Sequence, residues 1–162
     1  MKFYLSCILL LTSLDVFGCS MPPNEQHVPA LELISRTNDI VLARAVAAEL
    51  REDGFITYTL LTERVLKGNV PEEFKIIGFR TQQNSFSNFN DHFDDGFWNE
   101  YGGREVNFTD CEIYPSFLLG SFYLIFLNQP YHNKGFELIV KKQGSSSEKD
   151  KWLEYVESEI TR

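Results

Sequence analysis

The most reactive side chains in this 162-residue chain are its three cysteines, Cys7, Cys19 and Cys111. A thiol can attack a substrate, bind a metal ion, form a disulfide or carry a modification. Nucleophilic catalysis by Cys111 would need a general base, and no histidine lies near Cys111 in the sequence. A zinc site would need paired ligands, and the Cys-x-x-Cys spacing is absent. The cysteines therefore indicate a disulfide or a modification.

The sequence contains no other arrangement of residues that is typical of an active site. Neither the Gly-x-Ser-x-Gly turn that presents a nucleophilic serine nor a His-Glu-x-x-His metal motif is present. We therefore predict that the protein is not an enzyme, and that it holds no metal ion and no cofactor.

Residues 91–96 place carboxylates beside an imidazole in the order Asp-His-Phe-Asp-Asp-Gly. A calcium loop of the EF-hand type would need an oxygen ligand where Phe93 stands and a glutamate where Gly102 stands. Because both ligands are missing, we interpret the segment as an acidic loop exposed to solvent. We interpret all three histidines as polar surface residues: His27, His92 and His132.

The first 18 residues have the features of an export signal. Lys2 gives a positive start, an apolar stretch follows over residues 3–14, and the small residue Gly18 directly precedes Cys19. The apolar stretch is far shorter than the roughly 20 residues that a membrane-spanning helix needs. We predict that residues 1–18 are a signal peptide and that the mature chain begins at Cys19.

The residues around Cys19 read Val-Phe-Gly-Cys-Ser and resemble the lipobox of bacterial lipoproteins. This resemblance implies that the Cys19 thiol is acylated and anchors the protein in the cell envelope. Ser20 after the cysteine resembles lipoproteins that are sent to the outer membrane. The alternative is cleavage by ordinary signal peptidase at the same bond, which leaves Cys19 free to pair with Cys111 in a periplasmic or secreted protein. The two fates of Cys19 exclude each other.

The composition limits the classes of partner. The formal charge of −8 disfavours binding to nucleic acid and to anionic lipid headgroups, so contact with a membrane would have to be made through the lipid anchor. Aromatic residues make up 14% of the chain, which fits a well-filled β core. The partner itself, a protein or a small ligand, is not identified by the composition.

The hydrophobic pattern predicts five strands and two helices. After a proline-containing tether over residues 19–29, a helix is predicted at 30–37 and a C-terminal helix, capped by Ser147, at 148–160. Strands are predicted at 40–48, 55–66, 74–79, 122–127 and 136–140, and the alanines of the first also permit a helix. The last two strands would form a hairpin with residues 128–135 as its loop. Residues 30–162 are therefore predicted to be one mainly β domain with flanking helices, either a small barrel or a half-open sheet.

Residues 81–103 are too long and too aromatic for a plain connection. Phe97, Trp98 and Tyr101, followed by Arg104, combine flat apolar area with a fork of hydrogen-bond donors. We predict these four residues as a candidate binding loop. The alternative is that the aromatic residues fold back over an open barrel edge and extend the core.

Three motifs, taken in order, resemble tissue-inhibitor-of-metalloproteinase-like (netrin-module-like) domains of bacterial exported proteins. The first is Cys19-Ser20 followed by a short helix and by residues 38–46 (Asn-Asp-Ile-Val-Leu-Ala-Arg-Ala-Val). The second, residues 63–68 (Glu-Arg-Val-Leu-Lys-Gly), is similar to the end of that family's long strand. The third combines Cys111 with residues 117–126, similar to the pattern Phe-x-x-Gly-x-x-Tyr-Leu followed by two hydrophobic residues.

This resemblance implies an OB-like five-stranded barrel. In the animal inhibitors, the amino group and carbonyl of the N-terminal cysteine chelate the zinc ion of a target protease, and the next side chain enters its specificity pocket. Those roles would fall to Cys19 and Ser20. The third position of this chain is Met21, so the second disulfide of the family pattern is missing.

From the sequence we predict an exported, lipid-anchored, non-enzymatic protein of the cell envelope that binds a partner through an inhibitor-like domain. The alternative is a soluble secreted metalloprotease inhibitor that acts through Cys19, with Cys19 paired to Cys111. A third option is an envelope hydrolase, for which the sequence offers no catalytic constellation.

Overall fold

The computed structural model describes residues 24–80, 91–93, 96–98, 103–108, 110–140 and 149–162. These residues form a mainly β fold around one five-stranded antiparallel sheet, in the order β3-β2-β1-β4-β5. The strands are β1 (Ile40–Leu50), β2 (Ile56–Lys67), β3 (Glu73–Gly78), β4 (Phe122–Phe126) and β5 (Phe136–Leu138). The five predicted strands are thereby confirmed.

Strand β1 is the centre of the sheet and pairs with β2 on one side and β4 on the other. Its residues Ala43 and Ala45 are fully buried. Both belong to the hydrophobic cluster on one face of the sheet, whereas Arg44 and Val46, on the other face, are partly exposed. The prediction of a strand is confirmed, and the helix that the alanines also permitted is not formed.

Both faces of the sheet are buried at β4, where residues 123–126 are all buried. Tyr123 and Ile125 belong to one hydrophobic cluster, together with residues of β1, β2 and β5. Leu124 and Phe126 belong to a second cluster, which also contains Trp152. Because successive side chains of a strand point to opposite faces, the two clusters lie on opposite sides of the sheet.

Two helices contribute to the second cluster: α1 (Ala30–Arg36) and α2 (Lys151–Ile160). Helix α2 begins at Lys151, three residues later than predicted, because Asp150 is its N-cap. The Asp150 carboxylate accepts a hydrogen bond from the Leu153 amide at 3.0 Å. The predicted cap, Ser147, lies outside the described residues.

The sheet does not close into a barrel. No ladder joins β3 to β5 among the described residues, so these two strands are the edges. The predicted hairpin is confirmed, since β5 pairs with β4 in the register Tyr123↔Leu138 and Ile125↔Phe136.

Candidate functional site at the Cys111 loop

Cys111 lies in a tight turn that follows the segment 103–108. The Cys111 amide donates to the Phe108 carbonyl at 3.0 Å, and the Phe108 amide donates to the Glu112 carbonyl at 2.9 Å. Cys111 has a φ of 68°, which is the one positive φ of a non-glycine residue in the described part of the chain. Its sulfur is part of a disulfide.

The N-terminal segment is packed against this turn. Gln26 is fully buried, and its side-chain amide donates to the Cys111 carbonyl at 2.7 Å. The Gln26 carbonyl accepts from the Asn133 amide at 3.1 Å. The second half of the predicted tether, residues 24–29, is therefore held on the domain by these contacts. Cys19 and the first half of that tether lie outside the described residues.

His132 and His27 complete the attachment of the N-terminal segment, and the His27 Nδ1 lies 2.8 Å from the side-chain amide nitrogen of Asn133. The His132 Nε2 lies 2.9 Å from the Val28 carbonyl oxygen, and its Nδ1 lies 3.0 Å from the Lys134 amide. A neutral imidazole that donates through Nε2 and accepts at Nδ1 satisfies both contacts. The pKa of His132 is lowered to about 3, mainly by burial and in smaller part by the nearby cations Arg36 and Lys134, although the hydrogen bond to Val28 acts to raise it. The prediction that His132 is a surface residue is wrong, because only 2% of it is exposed.

Buried charged groups connect β5 to the start of α2. We call this group, which consists of His92, Asp150, Glu137 and Arg104, the His92 cluster. His92 is fully buried, with its Nδ1 2.6 Å from a carboxylate oxygen of Asp150 and its Nε2 3.4 Å from one of Glu137. The second Glu137 oxygen accepts from the Arg104 amide at 2.9 Å. The cluster joins the segments around residues 92 and 104 to β5 and to the start of α2.

Electrostatics in the His92 cluster favour a protonated histidine. Burial alone acts to lower the pKa of His92, but the hydrogen bonds and negative charges of Asp150 and Glu137 outweigh burial and raise it. In the neighbouring Glu105, by contrast, the neutral form is favoured. Its burial disfavours the carboxylate and raises its pKa to about 7, although the charge of Arg104 acts against this shift.

Lys134 extends this buried set of charges toward α2. Its side chain is fully buried and donates to the Phe97 carbonyl. The Lys134 Nζ also lies 4.7 Å from the centre of the Phe97 ring and 5.9 Å from that of Trp152. An ammonium group can be buried here because a carbonyl and two aromatic faces replace part of its hydration.

From the sequence, residues 91–96 are interpreted as an acidic loop exposed to solvent. For His92 this interpretation is wrong, because the residue is fully buried. A surface histidine would need no partners, but this ring is enclosed by two carboxylates that come from β5 and from the cap of α2. A histidine beside an aspartate is also a common catalytic pair. Here both side chains are almost completely inaccessible, so the pair offers no reacting atom to a substrate in the described arrangement.

The structure places Phe97 and Trp98 of the predicted binding loop together against α2, in the second hydrophobic cluster, and Arg104 against β4. Phe97 lies in the second hydrophobic cluster and packs edge-on against Trp152, with ring centres 5.5 Å apart. The Arg104 side chain is 7% exposed and lies over the Tyr123 ring. Trp98 stacks on Tyr155 with ring centres 5.0 Å apart, and Tyr101 lies outside the described residues. Phe97 thus extends the core, as the alternative stated, and the binding role of this loop stays a prediction.

Sequence reasoning missed Glu137, Asp150 and Lys134 as members of a buried polar group. One signal was available, because Glu137 stands inside the apolar run Phe-Glu-Leu that forms β5. A charged residue at a strand position between buried neighbours needs a partner of opposite charge. The sequence could not identify the partner, since His92 lies 45 residues away.

Gly103 allows the segment of Arg104 and Glu105 to run close to the β4–β5 hairpin. A Cβ atom at this position would lie 2.3 Å from the Asn133 carbonyl oxygen and 2.6 Å from the Lys134 amide nitrogen. We expect Gly103→Ala to lower the free energy of unfolding by about 1–3 kcal/mol, because two backbone segments must separate. Urea denaturation checks this, with Gly54→Ala for comparison, which meets no atom within 4 Å and has only the strain of a positive φ that Gly103 does not have. A loss well below about 1 kcal/mol for Gly103→Ala would contradict the close approach.

Within the described part of the chain, no group of three or more acidic, histidine or cysteine side chains is arranged to hold a metal ion. The helices described here are all too short or too polar to cross a membrane. No protein-family model matches the chain, and no curated protein matches it.

Proposed function

We propose that the mature chain is an exported, non-enzymatic binding domain that presents its N-terminal cysteine to a partner protein. The N-terminus would be held in place by its contacts with the Cys111 turn. The observation that carries this proposal is the disulfide at Cys111. Once residues 1–18 are removed, Cys19 is the remaining cysteine that can supply its partner. A thiol used in this bridge is not available for acylation.

The path of the N-terminal segment supports a Cys19–Cys111 bridge. Gln26 touches the Cys111 carbonyl, so the chain reaches the described domain next to this cysteine. The five residue steps from Cys19 to Asn24 can span up to roughly 18 Å. This reach is ample for Cys19 to return to the Cys111 turn.

The strand order supports an OB-like arrangement. An OB barrel that is opened between its third and fifth strands has the order β3-β2-β1-β4-β5, which is the order of this sheet. Residues near 115 lie alongside the end of β3, where the Phe79 amide donates to the Pro115 carbonyl at 3.2 Å. We propose that this segment occupies part of the gap that barrel closure would fill.

The resemblance to metalloprotease inhibitors suggests the class of partner, a zinc metalloprotease. A neutral amine and a carbonyl at Cys19 would bind its zinc ion, and Ser20 would enter its specificity pocket. Met21 removes the second disulfide of the family pattern. The buried Gln26 side chain and its bond to Cys111 offer a non-covalent replacement, because both restrict the freedom that the terminus would otherwise lose on binding.

The test is inhibition by the mature chain. We expect the oxidised chain that starts at Cys19 to inhibit zinc metalloproteases of the thermolysin or metzincin type, measured by hydrolysis of a fluorogenic peptide. The matched control carries one extra alanine before Cys19, which leaves the fold and the disulfide in place but displaces the amine. We expect the control to be at least about tenfold weaker, since each tenfold step corresponds to about 1.4 kcal/mol of lost zinc-site binding. Equal inhibition by the two chains, or none by either, would contradict the proposed partner.

A second candidate function is a lipid-anchored envelope protein, and the lipobox-like residues before Ser20 favour it. The intact mass of the mature protein from its native host separates the two candidates. A chain two hydrogens lighter than the unmodified sequence supports the disulfide. Added diacylglycerol and acyl mass supports the anchor and would leave Cys111 without its proposed partner.

A further inference from the structure

A cleft of about 460 Å³ lies beside the outer edge of β3. It is bounded by β3, by the segment after Cys111, and by the β1–β2 and β4–β5 loops. The lining side chains used below are Phe55, Lys75, Ile77, Glu112, Ile113 and Tyr114, beside the Arg51–Asp53 ion pair. None of them belongs to the His92 cluster or to the contacts that hold residues 24–29 on the domain.

The backbone of β3 presents hydrogen-bonding groups to this cleft that no described residue pairs with. The Thr62 amide donates to the Glu72 carbonyl, so residue 72 and the alternate residues that follow it face β2. The residues between them, Glu73, Lys75 and Ile77, therefore direct their N–H and C=O groups to the other side. Just after β3, the Phe79 amide donates to the Pro115 carbonyl and the Phe79 carbonyl accepts from the Tyr58 hydroxyl.

The walls of the cleft are aromatic and aliphatic. Phe55 and Tyr114 lie with ring centres 4.7 Å apart. Ile77 is 44% exposed although it stands in a strand, and Ile113 is buried at the base of the opposite wall. An apolar side chain that entered the cleft would therefore remove Ile77 from water.

The charged side chains of the cleft limit the kind of ligand it can bind. The Arg51 guanidinium is bonded to Asp53 at 2.8 Å and is thereby neutralised. Lys75 is exposed and makes no ion pair with any described residue. Glu112 also lines the cleft, from the segment after Cys111, so it is the β3 side of the cleft, with Lys75, that would complement a ligand carboxylate.

We propose that this cleft binds an extended peptide segment of a partner protein, which adds to the edge of β3 as a sixth strand. Unpaired N–H and C=O groups at the spacing of a strand are matched by another extended backbone and by no compact ligand. Two side chains of the segment, two residues apart and therefore on one face, would contact Ile77 with apolar surface and Lys75 with a carboxylate. This site goes beyond the proposed function and does not depend on the state of Cys19.

The probe is a short capped peptide in which valine and glutamate stand two residues apart, with threonine at the positions between them, so that valine and glutamate share one face as Ile77 and Lys75 do. It carries a fluorescent label, and binding is measured by fluorescence anisotropy. Two matched peptides carry N-methyl groups, one on the threonine amides and one on the valine and glutamate amides. Only one edge of an added strand faces β3, so we expect one methylated peptide to lose at least about tenfold in affinity, the equivalent of one backbone hydrogen bond or more. The other should bind like the parent. No binding of the parent, or equal binding of all three, would overturn the proposal.

The matching change in the protein is Ile77→Pro. Proline removes the outward N–H of residue 77, while the bonds of β3 to β2 are made by its neighbours. Ile77→Ala is the control, because it removes the side chain and keeps the N–H. We expect the proline variant to bind the parent peptide at least about tenfold more weakly than the alanine variant, with thermal unfolding confirming that both are folded.

A second measurement uses the unmodified protein and does not require Ile77→Pro to fold. Strand addition should slow hydrogen exchange at the amides of Glu73, Lys75 and Ile77 when the peptide is bound, as followed by NMR. Unchanged exchange at these amides in the bound state would overturn the proposal. Sedimentation of the free protein tests a second copy as the occupant. A dimer that Ile77→Pro converts to a monomer would assign the edge to self-association and overturn the peptide site.

Discussion

Replacing Glu137 with alanine is expected to lower the free energy of unfolding by about 3–5 kcal/mol, which is enough to unfold many domains of this size. Glu137 is fully buried and faces two cationic groups. One of its oxygens lies 3.4 Å from the His92 ring, and the other accepts from the Arg104 amide. Removing the carboxylate leaves positive charge in the interior without its partner, and that cost exceeds the value of the pair itself.

Two controls separate charge from packing in this prediction. Glu137→Gln keeps the volume and an acceptor oxygen, so we expect about half of the loss, because the charge is gone while the Arg104 amide stays bonded. Glu63→Ala breaks the exposed ion pair with Arg44, which is 3.1 Å long, and should cost at most about 1 kcal/mol. Urea denaturation of all three variants at neutral pH gives the comparison. A loss for Glu137→Ala as small as that for Glu63→Ala would contradict the charged cluster.

The strands could be predicted from the sequence because each has a local cause. Alternation of apolar and polar residues, and the turn residues between them, identified all five, and the central strand was recognisable by its apolar content. The ends differ where a side chain competes with the ladder. Strand β5 ends at Leu138, two residues earlier than predicted, and the Val140 amide donates to the Asp150 carboxylate at 2.9 Å. No local pattern shows that a residue beyond the strand will take this amide.

The buried polar groups could not be predicted, because their partners are distant in the sequence. His92 and Asp150 are separated by 58 residues, and His132 and Val28 by 104. Judged by residue type alone, each histidine is a polar residue that is expected at the surface. Its burial becomes favourable only when carboxylates or carbonyls from other segments replace water, and that match is a property of the folded chain. For the same reason, the position of Gln26 against Cys111 could not be read from a proline-containing tether.

The second large effect is a loss of stability in acid that depends on His132. Its folded-state pKa of about 3 lies below the ordinary value of 6.5, so the folded state resists protonation and the unfolded state does not. His132 therefore contributes nothing unfavourable above pH 6.5, and stability is lost as the pH falls from 6.5 toward 3. At about 1.4 kcal/mol for each pH unit, the loss reaches about 3 kcal/mol by pH 4.

Glu105 acts in the opposite direction over a partly overlapping range. Its folded-state pKa of about 7 lies above the ordinary value of 4.5, so the protonated form is favoured in the folded state and stability is lost as the pH rises from 4.5 toward 7. The raised pKa of His92 has the same sign, with its contribution lost as the pH rises above 6.5. Between pH 4.5 and 6.5, His132 and Glu105 therefore oppose each other, and below pH 4.5 only the effect of His132 remains of these three.

Two substitutions test the two signs separately. Gln at position 132 can still donate to the Val28 carbonyl but cannot be protonated, so we expect the stability of His132→Gln relative to the parent to rise by about 3 kcal/mol from pH 7 to pH 4. Glu105→Gln removes the other group, and its stability relative to the parent should rise as the pH increases from 4.5 to 7. Urea denaturation at a series of pH values measures both. If the difference in free energy of unfolding between each variant and the parent stayed constant with pH, both groups would titrate alike in the folded and unfolded protein. That result would contradict the pKa shifts that their burial causes.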